Sequence, residues 1–398
     1  MTTILLSAGD LSGERHAAAL VSVLRERMPE ARFVGMGGAA MAAAGVELAV
    51  DQRTLAVGGF VELAGGLAGV VRAWRALGRC LRETAPDLVV LVDSGGFNLP
   101  FARRVRASTR AKVLYYVAPQ VWAWRPGRLR RLAERSDRIA VILPFEPAWY
   151  AERGVAVDFV GHPVVDAFAG GAGPADPDAR SRARREARRA LGLPLDADLL
   201  GVFPGSRRNE LARHLPVQLE AFARLRSGPR PGGGALQAIV GLAPSLDRAQ
   251  AQRLIERHAA DHAEAIRLIR VDEGRVLDAC DVAVAKPGTI TVELMLRRTP
   301  MVVVGRAHPL SAAIARRRLG IERLAMPNLI AEADVVPELL QDAATGDRIA
   351  AALAPLFRGD ARDRQIGTLD AACRKLGGPG AARRTAAIVE EMLGTAPA

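Results

Sequence analysis

The chain has 398 residues, more than one hydrophobic core usually supports, so its length predicts two domains and excludes a single small module. Hydrophobic residues make up 49% and charged residues 25%, a globular composition, and no stretch approaches the roughly 18 uncharged apolar residues of a spanning helix. The formal charge is +12, but every basic residue except Lys112, Lys286 and Lys375 is arginine, so the excess reads first as compositional bias and second as a basic face for an anionic membrane surface, with no nucleic-acid partner expected.

Short β-branched runs alternate with helical stretches along the chain. TILLSAG leads into LSGERHAAALVSVLRERM, ARFVGMGG into AAMAAAG, and DLVVLVDS into a helix after Asn98; KVLYYVAP, DRIAVILPF and VDFVGHP follow. That rhythm predicts a doubly wound parallel sheet. It restarts after the Gly/Pro/Asp segment at 170–179 and an Arg-rich helix at 180–190, with LLGVFPGS, QAIVGLA, IRLIRV, VAVAKPG and PMVVVGR. The expected fold class is α/β: two Rossmann-like domains, 1–168 and 169–378, facing a cleft. The last segment, 379–398, carries an amphipathic helix expected to pack back on the first domain.

Cys80, Cys280 and Cys373 are odd in number and widely spaced, which predicts neither a disulfide nor a zinc site. The opening MTTILLSAGD lacks a basic leader, so a cytoplasmic protein is expected.

Several turns could carry chemistry. GMGGAA at 35–40 matches the dinucleotide fingerprint, but the context it needs is lacking, and Gly35, Gly37 and Gly38 read better as a tight turn. In SAGDLSGE, Ser12 and Gly13 stand where the first strand enters the first helix and a ligand could approach the backbone. The plain alternative is an N-cap by Ser12 with Glu14 in the first turn. In LVDSGGFN, Asp93 ends an apolar strand and suits a general base whose proton affinity partial burial would raise; the alternative is a turn aspartate. Tyr115, Tyr116, Trp122 and Trp124 suit a sugar face or an acyl boundary, with core packing of Trp122 weighed equally.

The second half holds two phosphate-type turns. In PGSRRNEL, Gly205 and Ser206 form the turn and Arg207 points where a phosphate would lie; in KPGTITVELML, Gly288 and Thr289 open a helix whose free amides can hold a pyrophosphate. Glu293, one turn later, can reach ribose hydroxyls or instead pair with Arg297. Two such turns favour a nucleoside diphosphate. The P-loop, H-E-x-x-H and G-x-S-x-G patterns are absent, so kinase, protease and esterase readings lose support. A D-x-D pair is also missing, so neither metal nor cofactor is expected, the pyrophosphate being neutralised by arginine and helix dipoles.

Taken together, SAGDLSGERH, GMGGAAMAAAG, VGGFVEL, VDSGGFNLP, YYVAPQVWAWR, ILPFE, FVGHP, PGSRRNEL, GTITVE and MPNLIA stand in the order seen in lipid-A-disaccharide synthases, which the chain resembles over about residues 4–345. The resemblance implies a GT-B glycosyltransferase joining UDP-2,3-diacylglucosamine to 2,3-diacylglucosamine 1-phosphate. UDP is released, and the β(1→6) disaccharide forms with inversion. Residue by residue, it implies Asp93 as base for the 6-hydroxyl, Arg207 and Glu293 around UDP, Asn328 near the donor and Ser12 in the small turn under the active cleft, with His16 as second-choice base. Acylated substrates imply peripheral association with the inner membrane; a homodimer is left open. LAGVVRAWRALGRCLR at 67–82 supports this, with Arg72, Arg75, Arg79 and Arg82 opposite Val71, Trp74 and Leu81, although a solvated outer helix would look the same.

Some positions depart from the family's pattern. Asp10 and Glu14 stand where Glu and then Asp are usual, Gly96 replaces the second acid of D-x-P-D-F-N, Pro287-Gly288-Thr289, preceded by Lys286, stands where S-G-T is expected, and Gly305 replaces a frequent aromatic while Arg306 stays. The K-P-G-x-T look is similar to diacylglycerol glycosyltransferases and the peptidoglycan lipid-intermediate transferase. Transfer to another lipid acceptor, such as diacylglycerol or a lipid-linked intermediate, is therefore the second reading. A UDP-sugar epimerase and a basic scaffold without turnover rank below it.

Overall fold

The computed structural model describes residues 1–52, 63–124, 126–168, 176–229, 234–271, 275–307 and 323–395. Nearly all of VGGFVEL, most of the segment 170–179 and the side chain of Trp124 lie outside the described residues. The chain forms two compact units, one of Met1–Ala167 joined by the segment from Leu376 onward, the other made from the residues between.

In the first unit, β1 (Thr3–Ala8), β2 (Arg32–Gly37), β3 (Glu47–Asp51), β4 (Leu88–Val92), β5 (Lys112–Tyr116), β6 (Arg138–Val141) and β7 (Asp158–Phe159) form, among the described residues, a seven-stranded parallel sheet ordered β3-β2-β1-β4-β5-β6-β7. β4 is LVVLV and is buried throughout, the near-continuous apolar run that a sheet covered on both faces requires. Alternation divides the residues between two cores. Leu5, Val34, Val89, Leu91 and Tyr115 face one, Ile4, Leu6, Val90, Leu114 and Tyr116 the other.

The helix Ala381–Leu393 belongs to this unit and lays Ala386, Ile388, Val389 and Met392 against the cluster containing Leu20 and Leu24 of the helix Leu11–Arg27. Asp166 holds its start, accepting from the amides of Ala381 at 3.1 Å and Ala382 at 3.0 Å. Arg27 pairs with Glu390 at 3.0 Å.

In the second unit, β8 (Asp198–Phe203), β9 (Leu236–Leu242), β10 (Ile266–Arg270), β11 (Val282–Ala285), β12 (Met301–Gly305) and β13 (Glu338–Leu340) form, among the described residues, a six-stranded parallel sheet ordered β10-β9-β8-β11-β12-β13. Leu200, Val202, Val240, Val284 and Val302 pack on Leu211, Leu215 and Phe222 of the helix Arg208–Ser227. β3 and β13 are absent from the sequence reading. Both are short edge strands: β3 shows an exposed ELA stretch and β13 is only half-buried, so neither carries its own apolar run.

In each sheet the strand order reverses once, between β1 and β4 and between β8 and β11. Loops leaving the carboxyl ends of such a pair part in opposite directions and leave a crevice, where doubly wound folds hold ligands.

Two surface expectations change. The helix Leu63–Thr84 exposes Arg72, Arg75, Arg79 and Arg82, but its apolar side is mostly core: Leu81 is buried, and Trp74 sits edge-on to Phe97 and Phe101, each at 5.6 Å. Val71 alone of that trio is exposed, at 38%. Tyr115, Tyr116 and Trp122 are buried as well, so this aromatic run is core and not an open sugar face. The three cysteines are buried free thiols.

Candidate active site

The crevice of the first unit is built by the turns after β1 and β4. Asp10, not Ser12, caps the helix Leu11–Arg27: its carboxylate accepts from the Gly13 amide at 2.8 Å and from the Ser94 hydroxyl at 2.9 Å, linking the two turns. A carboxylate can receive the helix amide and a second donor together, which leaves the Ser12 hydroxyl 3.5 Å from His16 Nε2. Gly13 lies against β4, where an added Cβ would meet the Val92 carbonyl at 3.5 Å and Asp93 Cβ at 3.7 Å.

Asp93 is half-buried at the end of β4, and it and Ser94 have φ of 47° and 45°, two successive non-glycine residues in the left-handed region. Such backbone costs about 1–3 kcal/mol per residue and persists only where its surroundings enforce it. Asn98 does so. At 0% exposure it donates through Nδ2 to the carbonyls of Ser7 (3.0 Å), Val92 (2.9 Å) and Asp93 (3.1 Å), and its Oδ1 accepts from the Ser7 hydroxyl at 2.7 Å. The Tyr115 hydroxyl also donates to the Asp93 carbonyl, at 2.9 Å. The carboxylate is thus presented on a backbone clamped from β1, β5 and the following helix.

His16 and His162 lie buried in this unit. Burial pulls the His16 imidazole down to about 4, against the pull of Asp10, and pulls His162 down to about 3, with His16 adding to the effect. Both are neutral at physiological pH, and His16 is a weak base there. His162 Nδ1 accepts from the Val164 amide at 3.3 Å.

Two buried carboxylates settle other expectations. Glu14 accepts from the Ala40 amide at 2.7 Å and from the Gln52 side chain, so it occupies the start of the helix Ala39–Ala43, where a dinucleotide's pyrophosphate would have to sit. Gly35 serves the sheet: with φ +146°, its added Cβ would fall 1.9 Å from the Leu6 carbonyl oxygen of β1. The dinucleotide reading therefore has no place here. Glu146 accepts from Trp122 Nε1 at 3.0 Å and from the amides of Ile142 and Leu143 at 3.0 and 2.8 Å, yet burial dominates and pushes its carboxyl up to about 7.

In the second unit the turns after β8 and β11 meet at the other reversal. Gly205 has φ +119° and lies against Glu210, whose Oε2 accepts from the Ser206 amide at 2.9 Å and the Arg207 amide at 3.3 Å. Arg207 is exposed and 3.9 Å from Glu210 Oε1, while Lys286 reaches the same oxygen at 3.0 Å. Burial pushes the Glu210 carboxyl up, but Lys286 and the Ser206 amide outweigh it and hold it below the usual range. Gly288 begins the helix Thr289–Leu296 with no side-chain cap, and the Thr291 hydroxyl turns back to the Gly288 carbonyl at 2.8 Å. Glu293 is half-buried; its Oε2 stands 3.9 Å from Arg297, whose Nε is engaged by Asp278 at 2.7 Å.

Asn328 is placed otherwise than expected. It is 1% exposed, donating to the Val336 carbonyl (2.9 Å) and Glu338 Oε1 (2.8 Å) and accepting from the amides of Val335 and Val336 (both 2.8 Å). It stands in the short helix Met326–Ala331, and its amide is fully occupied by the chain that follows, up to Glu338, so it acts as a clamp. Sequence reasoning missed Asn98, Glu146 and the Lys286–Glu210 pair; the only hint was that these polar residues stand beside the strand-end turns. Among the described residues no three or more His, Cys, Asp or Glu side chains cluster as metal ligands would.

A family model described as lipid-A-disaccharide synthetase matches residues 4–392. The chain belongs to that family. The lipid-A-disaccharide synthases of Geobacter metallireducens and Myxococcus xanthus are 38% and 39% identical to it over 392 and 391 residues, each alignment covering 98% of this chain and 97% of the relative. Among solved structures, a complex of S. aureus MnaA with UDP is similar over 100% of this chain and 99% of that one, with a TM-score of 0.69 at 12% identity. Acinetobacter baumannii MurG is similar over 98% and 99%, with a TM-score of 0.55 at 13% identity. At such identities these likenesses show the fold, which is of the GT-B type. As a lipid-A-disaccharide synthetase family member the chain is a glycosyltransferase of lipid A biosynthesis, and its two crevices are where a transferase's ligands would lie.

Proposed function

We propose that this enzyme joins UDP-2,3-diacylglucosamine to 2,3-diacylglucosamine 1-phosphate, giving the β(1→6) disaccharide 1-phosphate and UDP with inversion. The observation that carries the residue assignment is the strained, clamped backbone at Asp93, since strain of this kind collects where a side chain must be aimed. Asp93 accepts the proton of the acceptor's 6-hydroxyl as its oxygen bonds to the donor's anomeric carbon. The bond from that carbon to the β-phosphate oxygen breaks, and its electron pair leaves with UDP. Arg207 and the amides that follow Gly288 meet the charge gained by the leaving diphosphate, each donor contributing roughly 3 kcal/mol by analogy with oxyanion-hole donors. Glu293 addresses the ribose. No metal is needed in this reading, because the side chains and amides after β8 and β11 supply the positive charge.

The acyl chains of both substrates bring the enzyme to the cytoplasmic face of the inner membrane, held peripherally by the exposed arginines of the helix Leu63–Thr84 on anionic headgroups. Among the described residues no helix is long and apolar enough to cross a membrane. The test is mass spectrometry of products from purified protein, both acylated glucosamine substrates and detergent. One disaccharide 1-phosphate per UDP is expected. UDP release that requires diacylglycerol instead, or interconversion of the donor without acceptor, would overturn the proposal.

A further inference from the structure

Glu210 is an anion lodged on amides. Its carboxylate receives the Ser206 and Arg207 N–H groups at 2.9 and 3.3 Å, in the turn after β8, and Lys286 reaches it at 3.0 Å from the turn after β11. Gly205 has no room for a side chain because that carboxylate fills the space: an added Cβ would lie 2.5 Å from Glu210 Oε2. The first turn of the helix is fixed from below by His214, whose Nδ1–H donates to the Glu210 carbonyl at 2.8 Å while its Nε2 accepts from the Arg306 amide at 3.0 Å. Two amides, an ammonium and a nearby guanidinium converging on two oxygens is the donor set that recognises a phosphate. The lysine immediately precedes Pro287, which stands where the family's S-G-T pattern has serine.

We infer that Lys286 is a ligand of the donor's diphosphate, and that Glu210 is the internal anion it exchanges for that diphosphate when UDP binds. This rests on the donor reading given above. Without nucleotide, the Lys286–Glu210 pair joins the two turns and leaves neither charge unanswered. With nucleotide, the ammonium turns from the carboxylate to a phosphate oxygen, and the carboxylate keeps its two amides. Lys286 thereby reads the number of phosphates, and the departure from the family pattern beside it is a device of the donor side, not a sign of a different acceptor. A competing carboxylate beside the site limits how tightly UDP is held, which lets product leave after transfer.

Calorimetric titration of the full chain with UDP, UMP and uridine tests this, using Lys286→Met, Lys286→Arg and Glu210→Gln. Loss of one charge-assisted contact lowers affinity roughly tenfold to a hundredfold. Lys286→Met should weaken UDP by that factor, UMP by less and uridine not at all, with Lys286→Arg restoring most of the loss. Glu210→Gln keeps an acceptor for the amides but removes the competing charge, so UDP should bind several-fold tighter. A lysine that only braces the turns would change all three ligands alike or none, and Glu210→Gln would then weaken UDP; either result overturns the inference. Wild-type chain that binds no UDP would overturn the donor reading itself, a result distinct from wild-type binding that Lys286→Met leaves unchanged, which overturns this inference alone.

Discussion

Replacing Asn98 by alanine should separate the strained turn from its support. The side chain answers four groups: its Nδ2 amide is shared among the carbonyls of Ser7, Val92 and Asp93, and its Oδ1 accepts from the Ser7 hydroxyl. At about 1 kcal/mol for each group left without its partner, the loss is about 4 kcal/mol, and relaxation of Asp93 and Ser94 out of the left-handed region returns about 2 kcal/mol, about 1 kcal/mol for each residue. The balance is about 2 kcal/mol, or roughly 4–8 °C in melting temperature for a unit of this size. Relaxation also moves the Asp93 carboxylate, and a displacement of about 1 Å costs on the order of a hundredfold in turnover. Calorimetric melting and steady-state assays therefore should show a lower midpoint and a kcat down about a hundredfold, with UDP affinity unchanged because the second unit is untouched. Asn98→Asp should be at least as harmful at pH 8, since a carboxylate would face three carbonyl oxygens. An alanine variant that melts with the wild type and turns over at its rate would refute the clamp.

Three further outcomes follow from particular contacts. Asp93→Asn keeps the backbone hydrogen bonds and removes the proton acceptor, so turnover should fall by about a hundredfold to ten-thousandfold while UDP binding by calorimetry stays the same. Glu146 has its carboxyl raised to about 7, so the folded state binds the proton more tightly than the unfolded state; its contribution is present below about 4.5 and is lost as pH rises through 7. Denaturant titrations should show Glu146→Gln gaining about 3 kcal/mol on the wild type between pH 4.5 and pH 8. Gly35→Ala places a methyl group 1.9 Å from the Leu6 carbonyl oxygen, so the sheet must part there, and expression should yield little folded protein by circular dichroism.

Much of the fold was legible because covered parallel strands must be apolar throughout: LVVLV and VAVA stand out in any sequence, and glycines and aspartates follow them. ELAVD and ELL did not stand out, since an edge strand is defined by its neighbour's unpaired backbone more than by its own side chains. The strand-end turns were legible for the same reason as the strands. What stayed hidden was which polar residue answers which. Ser12 and Asp10 are equally good caps on paper, and only the Ser94 hydroxyl arriving from the β4 turn favours the aspartate. Asn98 and Asn328 look alike as asparagines near the start of a helix, yet each is buried by a different stretch of chain that no local pattern announces. Trp74 and Leu81 have helical spacing that serves a core or a membrane equally well, until Phe97 and Phe101 fill the space beside them.

The helix Ala381–Leu393 gives the first unit a timetable as well as a layer. That unit's sheet is synthesised by residue 167, but the strip of apolar surface on the helix Leu11–Arg27 waits for Ile388, Val389 and Met392, some 220 residues later. At translation speeds of about 5–20 residues per second the wait is on the order of 10–45 s, during which the nascent chain carries an uncovered greasy flank. A ribosome that stalled anywhere in the second unit would therefore hold a client for chaperones, and a nonsense mutation shortly before Ala381 would leave that flank bare for good.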